Sequence, residues 1–442
     1  MKFFKKTKSL KSACLLMLML LILPLQMLAA ELGEAGKRLA ALPGVSKVEP
    51  LQSTCFPEKY VFFIKQQLDA KNPQAGQFEQ RVVLCHRGFD RPTVLVTEGY
   101  DANYALHEGY IEELSKLFNT NIITVEYRYF DQSMPSPCNW DYLTVENSLY
   151  DLHHVNEALH ALYKGKWMAT GISKGGQTTM FYRSYFPNDV DISVPYVAPL
   201  NRSVEDGRHE KFLQYEVSTP ENRRKVLDFQ LLLFKRKPAL LPMLEKYCND
   251  KHYTFNAPLA EIYDFSVFEY AFAFWQWGSD IQKIPTREAD DLAVFKYWMS
   301  HCEPDYFSNQ NPYFSFDVQA AKELGYYGYY TKPFKRYLSI KTAKGYLHRL
   351  MLPKDAEEVK FSPVLYKHTV DFLSKNDPKM VYIYGSIDPW SASGIYGLPF
   401  TKNKQNLHVY MCPGGSHLTR ILSFPEPTRQ EIIDLIGRWL KE

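Results

Sequence analysis

The segment WMATGISKGGQTT, residues 167–179, passes from an apolar run to a polar run through one serine flanked by glycines. Ser173 stands between Gly171 and Gly175 in the pattern G-x-S-x-G, and Gly176 follows directly. This arrangement predicts a sharp turn from a buried strand into a helix, with the serine hydroxyl raised above the end of the strand. Glycines are needed in such a turn because larger side chains would clash there.

Strand and helix patterns alternate on both sides of this turn. Apolar residues recur at helical spacing within residues 104–118 and 144–163, and an amphipathic helix is predicted at 426–440. A hairpin is predicted within residues 60–84, joined by the turn-rich segment DAKNPQAG. Short apolar runs predict further strands within residues 92–100, 120–130, 191–200, 380–390 and 406–417. Continuous apolar strands that alternate with helices are typical of a parallel sheet covered on both faces.

The alternation stops between residues 203 and 360. This region has few strand signals, much charge and many aromatic residues, which predicts a mainly helical insertion. We therefore expect a first core part at residues 31–202, a cap at 203–360 and a second core part at 361–442. The serine turn and the parallel sheet together predict an α/β-hydrolase fold that carries a large helical cap.

Two further residues would complete the chemistry of a serine nucleophile. A serine hydroxyl is a weak nucleophile, so it needs a base that is oriented by a third group. In this fold the acid and the histidine follow the serine along the chain. Asp388 follows the strand pattern in YIYGSIDPWS, and His417 follows that in HVYMCPGGSH. We predict that Ser173, Asp388 and His417 form a catalytic triad. The alternatives are an Asx turn with Pro389 for Asp388 and a place at a helix start for His417.

An oxyanion hole requires two backbone N–H groups near the serine. The N-terminus of the helix that follows the serine places the Lys174 N–H there. The loop Glu98-Gly99-Tyr100 follows the strand TVLVT, where α/β-hydrolases supply the second donor. We therefore predict the backbone of Tyr100 or Gly99 as that donor. The alternative is that Gly99 simply ends the strand.

Residues 1–30 have the composition of a targeting segment. Five lysines precede an uncharged run from residue 13 to residue 30 that ends in small residues. This pattern predicts a signal peptide cleaved near Ala29 or Ala30, and hence an exported protein; an uncleaved membrane anchor is the alternative. Loss of five lysines and no acids lowers the formal net charge from +3 to −2. The mature chain therefore gives no indication of nucleic-acid binding.

Cysteine and histidine spacing gives no indication of a metal site. No H-E-x-x-H motif and no C-x-x-C pair is present, and no glycine-rich nucleotide motif occurs, so we predict neither a metal nor a cofactor. An even number of cysteines in an exported chain allows up to three disulfides, and buried free thiols are the alternative. The six cysteines after the signal segment are Cys55, Cys85, Cys138, Cys248, Cys302 and Cys412.

Several segments occur in a series that resembles a known family. The series is GQFEQR, RPTVLVTEGY, VEYRYFDQSMP, YLTVENSLYDLHH, GISKGGQT, FEYAFAFWQWG and GSIDPWS with GGSH. Together they resemble the secreted tripeptidyl aminopeptidase family of serine peptidases (PS-10 type), which is related to prolyl carboxypeptidase and dipeptidyl peptidase II. The resemblance covers nearly the whole mature chain and matches Ser173, Asp388 and His417 to the triad. It implies release of short N-terminal peptides, often with proline near the cut, although the cap reads EYAFAF where a proline is expected.

The cap has candidates for the two features that such a substrate requires. A cationic N-terminus needs buried carboxylates, and we predict Glu269 and Glu323 for this role. An apolar slot for a proline ring is predicted from aromatic side chains, whose alternative is the interior of the cap. These side chains are Phe272, Phe274, Trp275 and Trp277.

Other functions are compatible with the same motifs. A prolyl-type carboxypeptidase or a dipeptidyl peptidase would use the same triad on a different part of a peptide. An esterase or lipase would share the fold, and a surface binding protein could retain the residues without turnover. Peptides are the predicted partners, and no membrane span is predicted after removal of the signal segment.

Overall fold

The computed structural model describes residues 31–356 and 358–442, so the predicted signal peptide at residues 1–30 lies outside the described residues. Nine strands form one sheet with the order β1-β2-β3-β5-β4-β6-β7-β8-β9. The strands are β1 (Val45–Pro50), β2 (Glu58–Gln67), β3 (Gln77–His86), β4 (Thr93–Thr97), β5 (Asn121–Val125), β6 (Trp167–Ile172), β7 (Ile192–Tyr196), β8 (Met380–Gly385) and β9 (Leu407–Cys412).

The sheet has an antiparallel edge and a parallel centre. Strands β1, β2 and β3 pair antiparallel, as do β3 and β5, whereas the strands from β5 across to β9 are all parallel. Every residue of β4, β5, β7 and β8 is buried, which explains their continuous apolar runs. This strand order, with the serine turn after the central strand β6, is that of the α/β-hydrolase fold, and the predicted fold class is confirmed.

Helices cover both faces of the sheet and form the insertion between β7 and β8. Twelve α-helices occur among the described residues, together with several short 3₁₀ and π segments. They are α1 (Glu34–Ala40), α2 (Glu113–Phe118), α3 (Val145–His160), α4 (Lys174–Tyr185), α5 (Gly207–Lys211), α6 (Pro220–Lys235), α7 (Lys237–Asp250), α8 (Leu259–Gln276), α9 (Asp291–Met299), α10 (Phe314–Gln319), α11 (Val364–Lys375) and α12 (Thr428–Trp439).

Most local predictions agree with these elements, and one does not. The hairpin is present as β2 and β3, and helix α3 begins at Thr144, whose side chain caps it by accepting the Asn147 N–H. The helix predicted over residues 104–118 is wrong, because a 3₁₀ turn and α2 occur there instead. The chain turns between them, and the Glu112 side chain starts α2 by accepting the Leu114 N–H.

Helices α5 to α10 lie between β7 and β8, within the region predicted as the cap. Helix α8 is at their centre: it is buried on nearly every side and packs against α6 and α7. A helix that is apolar around its whole circumference belongs in an interior rather than at a surface. The cap boundaries at residues 202/203 and 360/361 stay a prediction.

The remaining sequence predictions concern cysteines and membrane spans. All six cysteines of the described residues are free thiols, and Cys85, Cys248, Cys302 and Cys412 are buried. Within residues 31–356 and 358–442, no helix combines the length and apolarity needed to cross a membrane.

Candidate active site

The serine turn has the strained backbone that its glycines suggested. Ser173 has φ 59° and ψ −118°, a conformation that non-glycine residues rarely adopt. Its N–H donates to the Tyr196 carbonyl (3.0 Å), which ties the turn to the end of the neighbouring strand β7. The strain is therefore maintained by the sheet, and the serine projects from the carboxyl end of β6.

Each glycine of the turn contacts backbone atoms where a side chain would not fit. A Cβ at Gly171 would lie 2.4 Å from Gly175, and one at Gly175 would lie 2.8 Å from the Thr97 carbonyl oxygen. A Cβ at Gly176 would lie 2.5 Å from the Tyr196 carbonyl oxygen. The three glycines therefore allow β6 and α4 to approach both neighbouring strands, which explains why the segment has three rather than one.

Asp388 and His417 are hydrogen-bonded to each other. The Asp388 Oδ2 lies 2.7 Å from His417 Nδ1, and both side chains are buried. The other carboxylate oxygen, Oδ1, accepts the backbone N–H of Trp390 (3.1 Å). Asp388 follows β8 and His417 follows β9, so both residues lie at the same sheet edge as Ser173.

The cap contributes directly to the position of the histidine. The His417 backbone N–H donates to the Gln276 carbonyl (2.9 Å) at the end of α8. Trp277, the next residue, has its ring perpendicular to the imidazole with 6.1 Å between centroids. The base candidate is therefore held between the core loop after β9 and the central helix of the cap.

The backbone donors near the serine differ in their availability. Among the described residues, neither the Lys174 N–H nor the Tyr100 N–H has a hydrogen-bond acceptor. The Gly99 N–H, in contrast, donates to the Glu98 carboxylate (3.3 Å). This favours Tyr100 over Gly99 as the second oxyanion donor, although both assignments stay predictions.

A cavity of about 1030 Å³ contains the serine and the histidine. Ser173 and His417 lie in its wall, and so do Lys174, Tyr100 and Trp277. Among the described lining residues, seven carry carboxylates and two carry lysine or arginine side chains. The lining of this cavity therefore has an excess of carboxyl groups over cationic groups.

Glu269 lies in the wall of this cavity, whereas Glu323 does not. Glu269 accepts hydrogen bonds from the hydroxyls of Tyr327 (3.0 Å) and Tyr329 (2.7 Å). Burial raises the pKa of Glu269 to about 7, against the opposing effect of these hydrogen bonds. Glu323 instead accepts the Val145 N–H (2.6 Å) at the start of α3, so it has a structural contact.

The aromatic candidates of the cap divide in the same way. Trp277 lines the cavity, whereas Phe274 is fully buried inside the cap against Trp275 and His301. Phe272 and Trp275 line a second, smaller cavity of about 440 Å³ beyond α8. The aromatic side chains separate in this way because residues one or two positions apart along α8 face different sides of the helix.

Several cavity residues were missed from the sequence. Trp390 lines the wall two residues after Asp388, and Glu98, the first residue of the predicted oxyanion loop, lines it as well. Their positions at the carboxyl ends of β8 and β4 were a usable signal. Tyr326 and Tyr327 also line it, and only their place in the aromatic run ELGYYGYY marked them.

Burial raises the pKa of several carboxyl groups that line the cavity. The pKa of Glu98 and of Glu112 is raised to about 7, and that of Asp305 to about 6. No cluster of histidine, cysteine, aspartate or glutamate that could hold a metal ion occurs in the described part of the chain. The site is therefore an acidic cavity around a serine and a hydrogen-bonded Asp–His pair.

An α/β-hydrolase with such a site belongs to the class of serine hydrolases. The family model of the PS-10 peptidase S37 family matches residues 31–429, so the chain belongs to this family and is a serine peptidase. The predicted family and enzyme class are confirmed.

Two relatives and one solved structure show the extent of the similarity. A prolyl tri/tetrapeptidyl aminopeptidase of Streptomyces mobaraensis is 28% identical over 421 residues, covering 91% of this chain and 84% of that protein. A probable serine protease EDA2 of Arabidopsis thaliana is 27% identical over 145 residues, or 28% of this chain and 30% of that protein. The crystal structure of a proline iminopeptidase of Mycobacterium smegmatis is 13% identical with a TM-score of 0.39, covering 89% of this chain and 99% of that one.

Proposed function

We propose that the protein is an exported serine exopeptidase that releases short peptides, tripeptides in particular, from the N-terminus of peptide substrates. The observation that carries this proposal is that Ser173, His417 and the half-buried carboxylate Glu269 line the same cavity. The similarity to a prolyl tri/tetrapeptidyl aminopeptidase supports it. Export is proposed from residues 1–30 and is tested by N-terminal sequencing of the mature protein, which is expected to begin near residue 31.

The proposed reaction proceeds through an acyl-enzyme. His417 accepts the proton of the Ser173 hydroxyl as Oγ attacks the carbonyl carbon, and Asp388 holds the imidazole with its free nitrogen toward the serine. The N–H groups of Lys174 and Tyr100 stabilise the oxyanion of the tetrahedral intermediate. The C–N bond then breaks as His417 protonates the leaving amine, and water hydrolyses the ester on Ser173 by the reverse sequence of proton transfers.

Glu269 is proposed to bind the substrate ammonium group. Its carboxylate has two tyrosine hydroxyls as partners but no salt-bridge partner among the described residues. The carboxylate is half-buried, and its desolvation without a cationic partner is costly, so an incoming ammonium group supplies what the free protein lacks. The fixed position of Glu269 relative to Ser173 would then limit how many residues precede the cut.

Two indole side chains are proposed to contact the residue before the cut. Trp390 belongs to the loop of Asp388, and Trp277 is adjacent to His417, so both are attached to the catalytic machinery. Flat apolar rings at this position suit a proline side chain. In this proposal they take the place of the predicted slot of Phe272, Phe274 and Trp275, none of which lines the main cavity. The Phe272 ring packs behind that of Trp390, with 5.1 Å between the centroids.

An N-acetylated peptide is expected to be cleaved about a hundredfold more slowly, in kcat/KM, than the same peptide with a free N-terminus. Acetylation removes the cation and leaves the half-buried Glu269 carboxylate without it, at a cost of about 3 kcal/mol. Product masses from the two peptides give both the rates and the length of the fragment. Equal rates, or stepwise loss of C-terminal residues, would contradict the aminopeptidase proposal and favour a carboxypeptidase.

The matched variant for this comparison is Glu269→Gln, which keeps the shape and the tyrosine contacts but removes the charge. It is expected to slow cleavage of the free peptide and to leave the acetylated peptide almost unaffected. Glu323→Gln is the control, because Glu323 lies outside the cavity wall. A Glu269→Gln variant that slows both peptides equally would show that Glu269 supports the fold rather than the ammonium group.

The contribution of Glu269 is expected to depend on pH. Because burial raises its pKa to about 7, the carboxylate is lost by protonation as the pH falls through 7. The ratio of kcat/KM of wild type to that of Glu269→Gln is therefore expected to rise with pH through about 7, measured on a peptide with a free N-terminus. Taking the ratio removes every effect of pH that is common to both proteins. A ratio that is flat from pH 5 to 9 would contradict the assignment.

A further inference from the structure

The side chain of Lys174 occupies an unusual environment for a lysine. It is 2% exposed, directly follows Ser173, and forms no salt bridge with a carboxylate of the described residues. Its Nζ donates to the Gly99 carbonyl oxygen and lies 3.6 Å from the ring centroid of Tyr127 and 4.8 Å from that of Phe130. Burial lowers the pKa of Lys174 well below its ordinary value. The buried amine is therefore held by one carbonyl and aromatic rings, which is costly and calls for a functional reason.

The peptide that Lys174 contacts is the one that contains the proposed oxyanion donor. The Gly99 carbonyl and the Tyr100 N–H belong to the same peptide unit, which is trans. In a trans peptide these two groups point in opposite directions, so fixing the carbonyl also fixes the direction of the N–H. The contact of Lys174 with the Gly99 carbonyl therefore also sets the orientation of the Tyr100 N–H.

Two further contacts restrict the same loop. The Tyr100 carbonyl accepts the Tyr127 N–H (3.0 Å), which fixes the next peptide unit. A Cβ at Gly99 would lie 2.6 Å from the Lys174 Cβ, so the loop rests directly on the stem of the lysine. Both carbonyls are held and Gly99 packs on Lys174, whereas the Tyr100 N–H has no hydrogen-bond acceptor among the described residues.

We propose that the Lys174 side chain is a positioning residue of the oxyanion hole, whose Nζ orients the Gly99–Tyr100 peptide so that the Tyr100 N–H faces the substrate oxyanion. The inference rests on the proposed function, because it assumes acyl transfer at Ser173. Lys174 then contributes twice: its backbone N–H is one donor, and its side chain sets the direction of the other. This also gives a reason for the lysine in the segment GISKGG.

The test is Lys174→Met, which keeps an unbranched apolar stem of similar length and removes the donor. Loss of one oxyanion donor lowers kcat by about a hundredfold or more, so that decrease is expected, with little change in KM. A peptide aldehyde, which forms an oxyanion on Ser173, is expected to bind weaker by about the same factor. An unchanged kcat, a change confined to KM, or an unchanged aldehyde affinity would overturn the proposal.

A matched control separates positioning from general stability. Lys59 is also buried, and its Nζ donates to the His107 carbonyl (2.5 Å); unlike Lys174, it does not line the cavity. Lys59→Met therefore removes a comparable lysine–carbonyl bond and is expected to lower the unfolding temperature without the kcat and aldehyde effects. The same loss of aldehyde affinity in both variants would show a structural role and overturn the proposal.

Two measurements keep the inference independent of peptide cleavage and of the variant's folding. If wild type cleaves no peptide but reacts with a fluorophosphonate, the labelling rate of Lys174→Met is expected to fall about a hundredfold, and an unchanged rate would overturn the proposal. If the variant does not fold, a crystal structure of the wild-type fluorophosphonate adduct decides. The phosphonyl oxygen is expected within about 3 Å of both the Tyr100 and the Lys174 backbone nitrogen. A Tyr100 N–H turned away from that oxygen would overturn the proposal.

Discussion

Ser173→Ala is expected to lower kcat by about six orders of magnitude while leaving the fold unchanged. The methyl group of alanine has no atom that can form the acyl-enzyme, and the Asp388–His417 pair has no hydroxyl to activate. The turn itself does not depend on the side chain, because its conformation is maintained by the Ser173 N–H bond to Tyr196 and by the three glycines. Labelling with a fluorophosphonate measures the same loss directly, since wild type is expected to react and the variant is not.

Ser300 provides the control for this substitution. It also lines the cavity, and its Oγ lies 3.1 Å from His301 Nδ1, so it superficially resembles a second serine–histidine pair. However, His301 Nδ1 contacts the Tyr297 carbonyl (2.8 Å) rather than a carboxylate. Ser300→Ala is therefore expected to leave kcat near the wild-type value. If Ser300→Ala were inactive and Ser173→Ala active, the assignment of the nucleophile would be wrong.

The sequence predicts the core of this protein well because its signals are local. The turn at Ser173 requires its glycines within three residues, and the strands before Asp388 and His417 are continuous apolar runs. Parallel strands present their carboxyl ends at one edge, so the order of these motifs was sufficient to bring Ser173, Asp388 and His417 to the same side of the sheet. No knowledge of distant contacts was necessary for this part of the site.

The cap could not be predicted to the same depth because its contacts are not local. Helix α8 is apolar on nearly every side, so periodicity could not indicate which of its aromatic residues face the cavity. The hydrogen-bond partners of Glu269 are Tyr327 and Tyr329, which are 58 and 60 residues away in sequence. Glu323 is also surrounded by aromatic residues in the sequence. In the structure, however, it lies near the start of α3 and accepts the Val145 N–H instead of tyrosine hydroxyls.

Helix α8 connects the two halves of the proposed mechanism. Glu269 lies in its middle and faces the cavity, and Gln276 at its end accepts the His417 backbone N–H. A displacement of this helix would therefore move the ammonium site and the base together. In the proposed mechanism, the attachment of both to one helix would fix the distance between the substrate N-terminus and the cut, which is the property that a peptidase of defined product length requires.

Asp388→Asn is expected to lower kcat by about four orders of magnitude without unfolding the protein. The two oxygens of Asp388 have different partners: Oδ1 accepts the Trp390 N–H (3.1 Å), and Oδ2 lies 2.7 Å from His417 Nδ1. An asparagine must keep its oxygen toward the Trp390 N–H, since the amide NH₂ cannot accept that bond. Its NH₂ group then faces His417 Nδ1, which forces the imidazole proton onto Nε2. In that tautomer the imidazole cannot accept the proton of Ser173.

Asp377→Asn is the matched control for this change. The Asp377 carboxylate also accepts backbone N–H groups, those of Gln405 and Asn406, but it does not line the cavity and has no histidine partner within the described residues. It is expected to retain wild-type kcat, whereas Asp388→Asn loses activity at equal unfolding temperature. Because the tautomer is set by the asparagine amide, we also expect the loss of kcat to persist at every pH at which the protein is folded. An Asp388→Asn variant that regains activity at high pH, or that retains it throughout, would show that another group orients His417.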